Sequence, residues 1–279
     1  MKLTFWTIGI LAALALIFFV FVPAFQGALI INPVIQLGSF AVRWYGIILA
    51  ASILVGFAVM RKNSWKFGIS PADVDDFSFW AVLLGILGAR LYYVIFSWPY
   101  FSHQPAEIYK LWHGGLSIYG AVLAGAAFGY FYSRRKAYGF WQLADLASLA
   151  LPLAQALGRL GNFINQEAYG GPTDLPWKMY IAPEHRLVGL LGFDYFHPAF
   201  LYEALGSIAI FWLLSRLAGR LAPGNLFLIY LMSYSLVRFF VEGIRVDSFF
   251  IHGVRVDQAI AAVIFIGAGF WLWRRLRAH

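Results

Sequence analysis

The run Gly158-Arg159-Leu160-Gly161-Asn162-Phe163-Ile164-Asn165-Gln166-Glu167-Ala168-Tyr169-Gly170 gathers a guanidinium, the carboxamides of Asn162 and Asn165 and a carboxylate within nine residues. Its flanking glycines let backbone amides approach a ligand. Arg159 can grip a phosphate through two parallel hydrogen bonds, and Asn162 and Asn165 add neutral ones. The same residue types also describe a polar turn in which Arg159 pairs with Glu167. A second constellation, Tyr234, Arg238, Glu242 and Arg245, is spaced i, i+4, i+8 and i+11, one continuous helix face. Arg238 stands inside an apolar run, where an arginine costs about 3 kcal/mol on insertion scales. Glu242 could offset that cost as a structural partner. Two arginines per glutamate, however, leave the stripe positive, and this favours an anionic ligand.

The remaining constellations are shorter. His197-Pro198-Ala199-Phe200-Leu201-Tyr202-Glu203 reads as a helix start, with proline in the first turn and Glu203 at the positive end. Leu111-Trp112-His113-Gly114-Gly115 leads into Tyr119-Gly120 and could shape a pocket for a bulky head group. Arg43-Trp44-Tyr45 reads as a ligand-facing or an interface-anchoring helix start. Arg90, between Gly88-Ala89 and an apolar run, is a further intramembrane arginine made possible by close helix packing. No histidines have metal-ligand spacing and there is no cysteine, so no metal site or cofactor is expected. A phosphate loop, a dinucleotide fingerprint and a Gly-x-Ser-x-Gly elbow are all missing.

These residues need elements to hold them, and the composition says which. The 279 residues are 61% hydrophobic and 12% charged, too little charge to cover a water-facing surface. The reading is an all-α polytopic membrane protein. Spans of roughly 20 apolar residues are expected at about 5–25, 43–60, 77–97, 116–133, 141–160, 199–215, 225–241 and 258–273, eight in all. Twelve of the 21 basic residues then fall on one side: Lys2, Arg61, Lys62, Lys66, Arg134, Arg135, Lys136, Arg216, Arg220, Arg274, Arg275 and Arg277. That side is expected to be cytoplasmic, with both termini, and the net charge of +8 sets orientation rather than binding nucleic acid. The constellations above gather on the opposite, outer side. The one long stretch outside the spans, 161–198, is expected to form a small external head. Residues 5–22 could be a signal peptide, but Pro23–Ala28 offers no clean cleavage site, so a retained anchor is expected. The implied ligand is an anionic lipid head group, its acyl chains taken up by the bundle. A transporter for an anionic solute and a non-catalytic lipid-binding scaffold are the competing readings.

At these residues the sequence resembles the bacterial prolipoprotein diacylglyceryl transferases. The Gly158–Gly170 run is similar to the family's Gly-Arg-x-Gly-Asn-Phe-x-Asn-x-Glu-x-x-Gly signature. The segments His197–Glu203, Tyr234–Arg245 and Arg43-Trp44-Tyr45-Gly46 are similar to three further family motifs, and the likeness covers about 30–275. Two features depart from the pattern. The helix at 5–25, within 1–30, is additional to the seven-helix core expected over 31–279, and Tyr119 stands where the family often has a histidine. The resemblance implies transfer of the diacylglyceryl group of phosphatidylglycerol onto the lipobox cysteine of a preprolipoprotein signal peptide, releasing glycerol phosphate. It places Arg159 and Arg238 on the phosphate, with Glu242 orienting Arg238. Asn162 and Glu167 would position the glycerol head group and Arg245 would guide substrate or product. Tyr45, Asn165, Gly170, His197, Tyr202, Glu203 and Tyr234 complete the expected substrate site. Tyr119 either positions the lipid or acts as the base.

Overall fold

A helix that crosses a bilayer must satisfy its own backbone hydrogen bonds, and the apolar runs of this chain fold as long helices that do so. The computed structural model describes residues 15–38 and 40–277. A π-helical turn, Ile17–Phe21, leads into α1 (Val22–Phe25), followed by a hairpin of β1 (Val34–Leu37) and β2 (Phe40–Arg43). Then come α2 (Trp44–Asn63), α3 (Pro71–Phe96), α4 (Trp98–His103), α5 (Ile118–Ser133) and α6 (Phe140–Asn165). The antiparallel pair β3 (Met179–Tyr180) and β4 (Tyr195–Phe196) precedes α7 (Ala199–Leu217) and α8 (Asn225–Ile244). A last hairpin, β5 (Phe250–Ile251) and β6 (Val254–Arg255), opens α9 (Val256–Arg277).

Among the described residues, five helical stretches are long and apolar enough to cross a membrane: Trp44–Phe67, Pro71–Phe96, Ala199–Leu217, Asn225–Ile244 and Val256–Arg277. Of the other expected spans, 116–133 coincides with the shorter apolar helix α5, and 141–160 with α6. The polar residues of α6, among them Asp145, Gln155, Arg159 and Asn162, dilute its apolar character. Residues 5–14 of the expected span 5–25 lie outside the described residues. Two helix bounds differ from expectation. α3 starts at Pro71 because Ser70 caps it, its hydroxyl accepting from the Asp73 amide at 3.1 Å. α6 continues to Asn165, so residues 161–165 belong to the helix and the loop expected at 161–198 shortens to 166–198.

The chain divides into two compact units. One comprises Val55–Leu151 with Leu214–Phe227. Here α3 and α5 touch backbone to backbone: a Cβ on Gly88 would lie 2.7 Å from the Gly120 carbonyl oxygen, the close approach that small residues permit between membrane helices. Arg90, only 6% exposed, spends its guanidinium on carbonyl oxygens of Glu107 (2.6 Å), Ile108 (2.9 Å), Gly114 (2.5 Å) and Gly115 (2.9 Å). The intramembrane arginine thus fastens the 97–117 loop and sets where α5, which carries Tyr119, begins. Asp145, the acidic residue of α6, has a structural task. Its carboxylate accepts from the amides of Gly224 (2.6 Å) and Phe227 (2.8 Å), capping the start of α8 from another helix. Asp145→Leu leaves those amides unpaired and is expected to cost on the order of 2 kcal/mol. The check is the thermal midpoint in detergent. It falls for Asp145→Leu and falls less for Asp145→Asn, which keeps an acceptor.

The other unit comprises the described part of Met1–Leu54, Pro152–Leu213 and the described part of Leu228–His279. Its core cluster joins Ala24, Phe163, Tyr169, Met179, Ile181, Phe196 and Phe200. Phe21 stacks on Phe163 at 4.8 Å, and Gly27, at φ +78°, leaves room for the Tyr180 ring. The segment from Phe21 through α1 is therefore packed into this unit.

Candidate functional site

Glu203 sits in the second turn of α7, 1% exposed. A buried carboxylate must be matched by donors, and three groups match it. Arg159 of α6 reaches Glu203 Oε1 at 2.5 Å, the Tyr234 hydroxyl of α8 donates to the same oxygen at 2.7 Å, and Arg238 Nη1 lies 3.3 Å from Oε2. Glu203, read both as a charge complementing a helix terminus and as part of the expected substrate site, is the point on which three helices converge.

Along α6, Arg159 Nη1 donates to Asn162 Oδ1 at 3.1 Å, and Asn162 Nδ2 donates to Glu167 Oε1 at 2.9 Å. Asn165 Nδ2 reaches the same Glu167 oxygen at 3.3 Å. The direct Arg159–Glu167 pair weighed from the sequence is replaced by a relay through Asn162. The helix ends where Gln166 and Ala168 take positive φ, 51° and 56°, and the Gln166 side chain accepts from the Ala182 amide at 2.7 Å. Tyr45 lies against this helix at Gly161, where a Cβ would come within 2.5 Å of the ring.

Gly170 joins neighbouring segments through its backbone. Its amide donates to the His197 carbonyl at 2.8 Å, and the Gly171 amide donates to Ile244 at 3.0 Å. A Cβ on Gly170 would lie 2.8 Å from His197 Cβ and 3.1 Å from the Ile244 carbonyl oxygen. The glycine lets three motif-bearing segments meet through backbone. His197 Nδ1 lies 3.1 Å from the Tyr202 hydroxyl, which also accepts from Trp177 Nε1 at 2.8 Å.

On α8, Arg238 Nη2 pairs with Glu242 at 2.8 Å and, equally, with Asp257 at the start of α9. Arg245 makes a two-bond fork to Asp247 (2.8 and 2.7 Å) and lies 3.9 Å from Glu242. Arg255 donates to the Glu242 carbonyl oxygen. Burial pushes the Asp247 carboxyl up, but the Arg245 hydrogen bond and charge outweigh it and hold it below its usual range. Burial likewise lowers Arg245, and the bond to Asp247 more than restores it. The pair is therefore intact at neutral pH and is lost only as pH falls through the depressed Asp247 value. The positive stripe expected from α8 alone is corrected here. Arg159, Arg238 and Arg245 meet Glu203, Glu242, Asp247 and Asp257, because other elements supply carboxylates that one helix's spacing does not reveal.

Tyr119 belongs to the other unit, where its half-exposed ring tilts against Tyr92 at 6.1 Å. His113 is held by Glu107 at 2.6 Å in the fastened loop. Asp247, Asp257, Arg255, Gln166 and Trp177 were not expected. Asp247, two residues from Arg245, and Gln166, inside the Gly158–Gly170 run, carried a sequence signal. Among the described residues no cluster of His, Cys, Asp or Glu could hold a metal.

The apolar helices and the buried arginine–carboxylate network define the class: an α-helical membrane protein with paired charges in its interior. The sequence relationships narrow it further. The prolipoprotein diacylglyceryl transferase family model matches residues 32–274, and the chain belongs to that family. A phosphatidylglycerol–prolipoprotein diacylglyceryl transferase of Fervidobacterium nodosum is 45% identical over 260 residues, covering 91% of this chain and 89% of the relative. Those of Nostoc sp. (41% over 253 residues, 87% and 89% covered) and Gloeobacter violaceus (39% over 252 residues, 88% and 94% covered) carry the same name.

Proposed function

We infer that this chain transfers the diacylglyceryl group of phosphatidylglycerol to the lipobox cysteine of a preprolipoprotein signal peptide. The cysteine sulfur bonds to the glycerol carbon, and the carbon–oxygen bond to phosphate breaks with its electron pair on oxygen. Glycerol phosphate leaves, and the thiol proton passes to a base or to water. The observation that carries the reading is the convergence of Arg159 and Arg238, from two helices, on the buried Glu203. Donors fixed before the reaction stabilise charge that grows on a leaving phosphate without reorganising. Asn162, Asn165 and Glu167 position the glycerol head group, Tyr45 and Tyr234 border it, and His197 and Tyr202 shape the approach from the head segment. An anionic-solute path is disfavoured because Asp145 is engaged as a cap. Expression in a bacterium depleted of its own transferase tests the function: growth and thioether-modified lipoproteins return. Their absence despite normal membrane insertion would reject it.

The same reading puts the protein in the bacterial cytoplasmic membrane with eight spans, both termini cytoplasmic and 166–198 as an external head. Residues 1–30 form an additional anchor ahead of the 31–279 core. The stacking of Phe21 on Phe163 supports a structural task for that anchor. A cysteine introduced at Thr173 is expected to react with an impermeant reagent from outside, and one at Arg135 only after permeabilisation. The reverse pattern overturns the orientation.

The thiol proton needs no strong base. A cysteine starts about two units from neutrality, so a small thiolate fraction is already present. Tyr119 then positions lipid through its hydroxyl. Tyr119→Phe is expected to keep a measurable share of turnover across the pH–rate profile with a lipobox peptide. Complete loss at every pH, with lipid binding intact, would make Tyr119 the base.

A further inference from the structure

We propose that Asp257 is a displaceable counter-ion: it occupies Arg238 between turnovers, yields it to the phosphate of the arriving lipid, and returns as glycerol phosphate leaves. The inference rests on the assignment of Arg238 to the phosphate and adds a residue outside every motif described above. Arg238 is shared by three carboxylates, and they are not equivalent. Glu203 and Glu242 are each 1% exposed. Glu203 is also held by Arg159 and Tyr234, and Glu242 lies beside Arg245, so moving either would strand a buried charge. Asp257 makes one 2.8 Å bond through a single oxygen, its side chain is 38% exposed, and it stands in the first turn of α9. Such a carboxylate exchanges its partner for water at small cost.

The charge balance makes the exchange necessary. Three arginines, Arg159, Arg238 and Arg245, already pair with four carboxylates, Glu203, Glu242, Asp247 and Asp257. The network has no surplus cation for a phosphodiester, so one carboxylate must leave as the lipid binds. Asp257 can leave without a buried group losing its partner, apart from Arg238, which the phosphate then satisfies. Release is helped by the same geometry. The monoester product carries about one more negative charge than the diester substrate and so holds the arginines more tightly. A tethered carboxylate one bond away competes with it at high effective concentration.

The test is product inhibition by added glycerol phosphate, measured on purified protein with a lipobox peptide and phosphatidylglycerol vesicles. Asp257→Ala, and the isosteric Asp257→Asn should the alanine variant fold poorly, are expected to lower the inhibition constant roughly fivefold, the size of a partly exposed ion pair. The KM for peptide stays constant, which a merely structural role would not ensure. An unchanged or weaker inhibition in folded variants would overturn the proposal and make Asp257 a fixed orienting partner of Arg238. Failure of the underlying assignment looks different: Arg238→Lys would then leave both turnover and glycerol phosphate inhibition as in the wild type.

Discussion

Arg238→Lys is expected to lower transfer turnover about a hundredfold or more while the protein still accumulates in the membrane. Removing one preorganised donor from a site of developing negative charge has an effect of this order. Lysine keeps the charge, so the buried Glu203 and Glu242 are not left without a cation. It loses the planar fork, however, and cannot contact Glu203, Glu242 and a phosphate oxygen together. The loss should appear in turnover more than in the KM for peptide, because the missing bonds matter most as the phosphate gains charge. Full turnover in a folded Arg238→Lys protein would remove Arg238 from the reaction.

Glu203→Leu is expected to give the largest loss of folded protein among single changes at the site. Two guanidinium groups, on Arg159 and Arg238, and the Tyr234 hydroxyl would lose their common acceptor in a place where the carboxylate is 1% exposed. Breaking a buried pair from one side costs about 3–5 kcal/mol, which is a large part of the stability of most domains. Glu203→Gln keeps one acceptor oxygen and the shape of the side chain, so it should fold yet transfer poorly. The comparison is the thermal midpoint and monodispersity in detergent for both variants. A Glu203→Leu protein as stable as the wild type would show that the convergence on Glu203 does not hold the helices.

The helices were legible in the sequence because a bilayer-crossing segment is a long apolar run, and α2, α5, α7, α8 and α9 follow those runs within a few residues. The ends of α3 and α6 were less so, since Ser70 and Pro71 extend one helix through acidic residues and α6 carries its polar motif to Asn165. Within the site, the face Tyr234–Arg238–Glu242 follows directly from helical spacing. What spacing could not show is which residues on other elements meet that face. Glu203 reads locally as a favourable charge near a helix start, and Asp257 reads the same way. Only the fold brings them to Arg238. Gly170 resembles a ligand-contacting glycine in sequence, whereas its lack of a side chain lets His197 and Ile244 approach it. Arg90 shows the same limit, its guanidinium being satisfied by carbonyls up to 25 residues away.

The central claim, that the arginine–carboxylate site performs diacylglyceryl transfer, is tested most directly with purified protein, phosphatidylglycerol vesicles and a synthetic lipobox peptide, followed by mass spectrometry. The account predicts a thioether-linked diacylglyceryl peptide and glycerol phosphate in equal amounts, with neither formed by Arg238→Lys. Unmodified peptide with the folded wild-type protein, or equal product from both proteins, would contradict it.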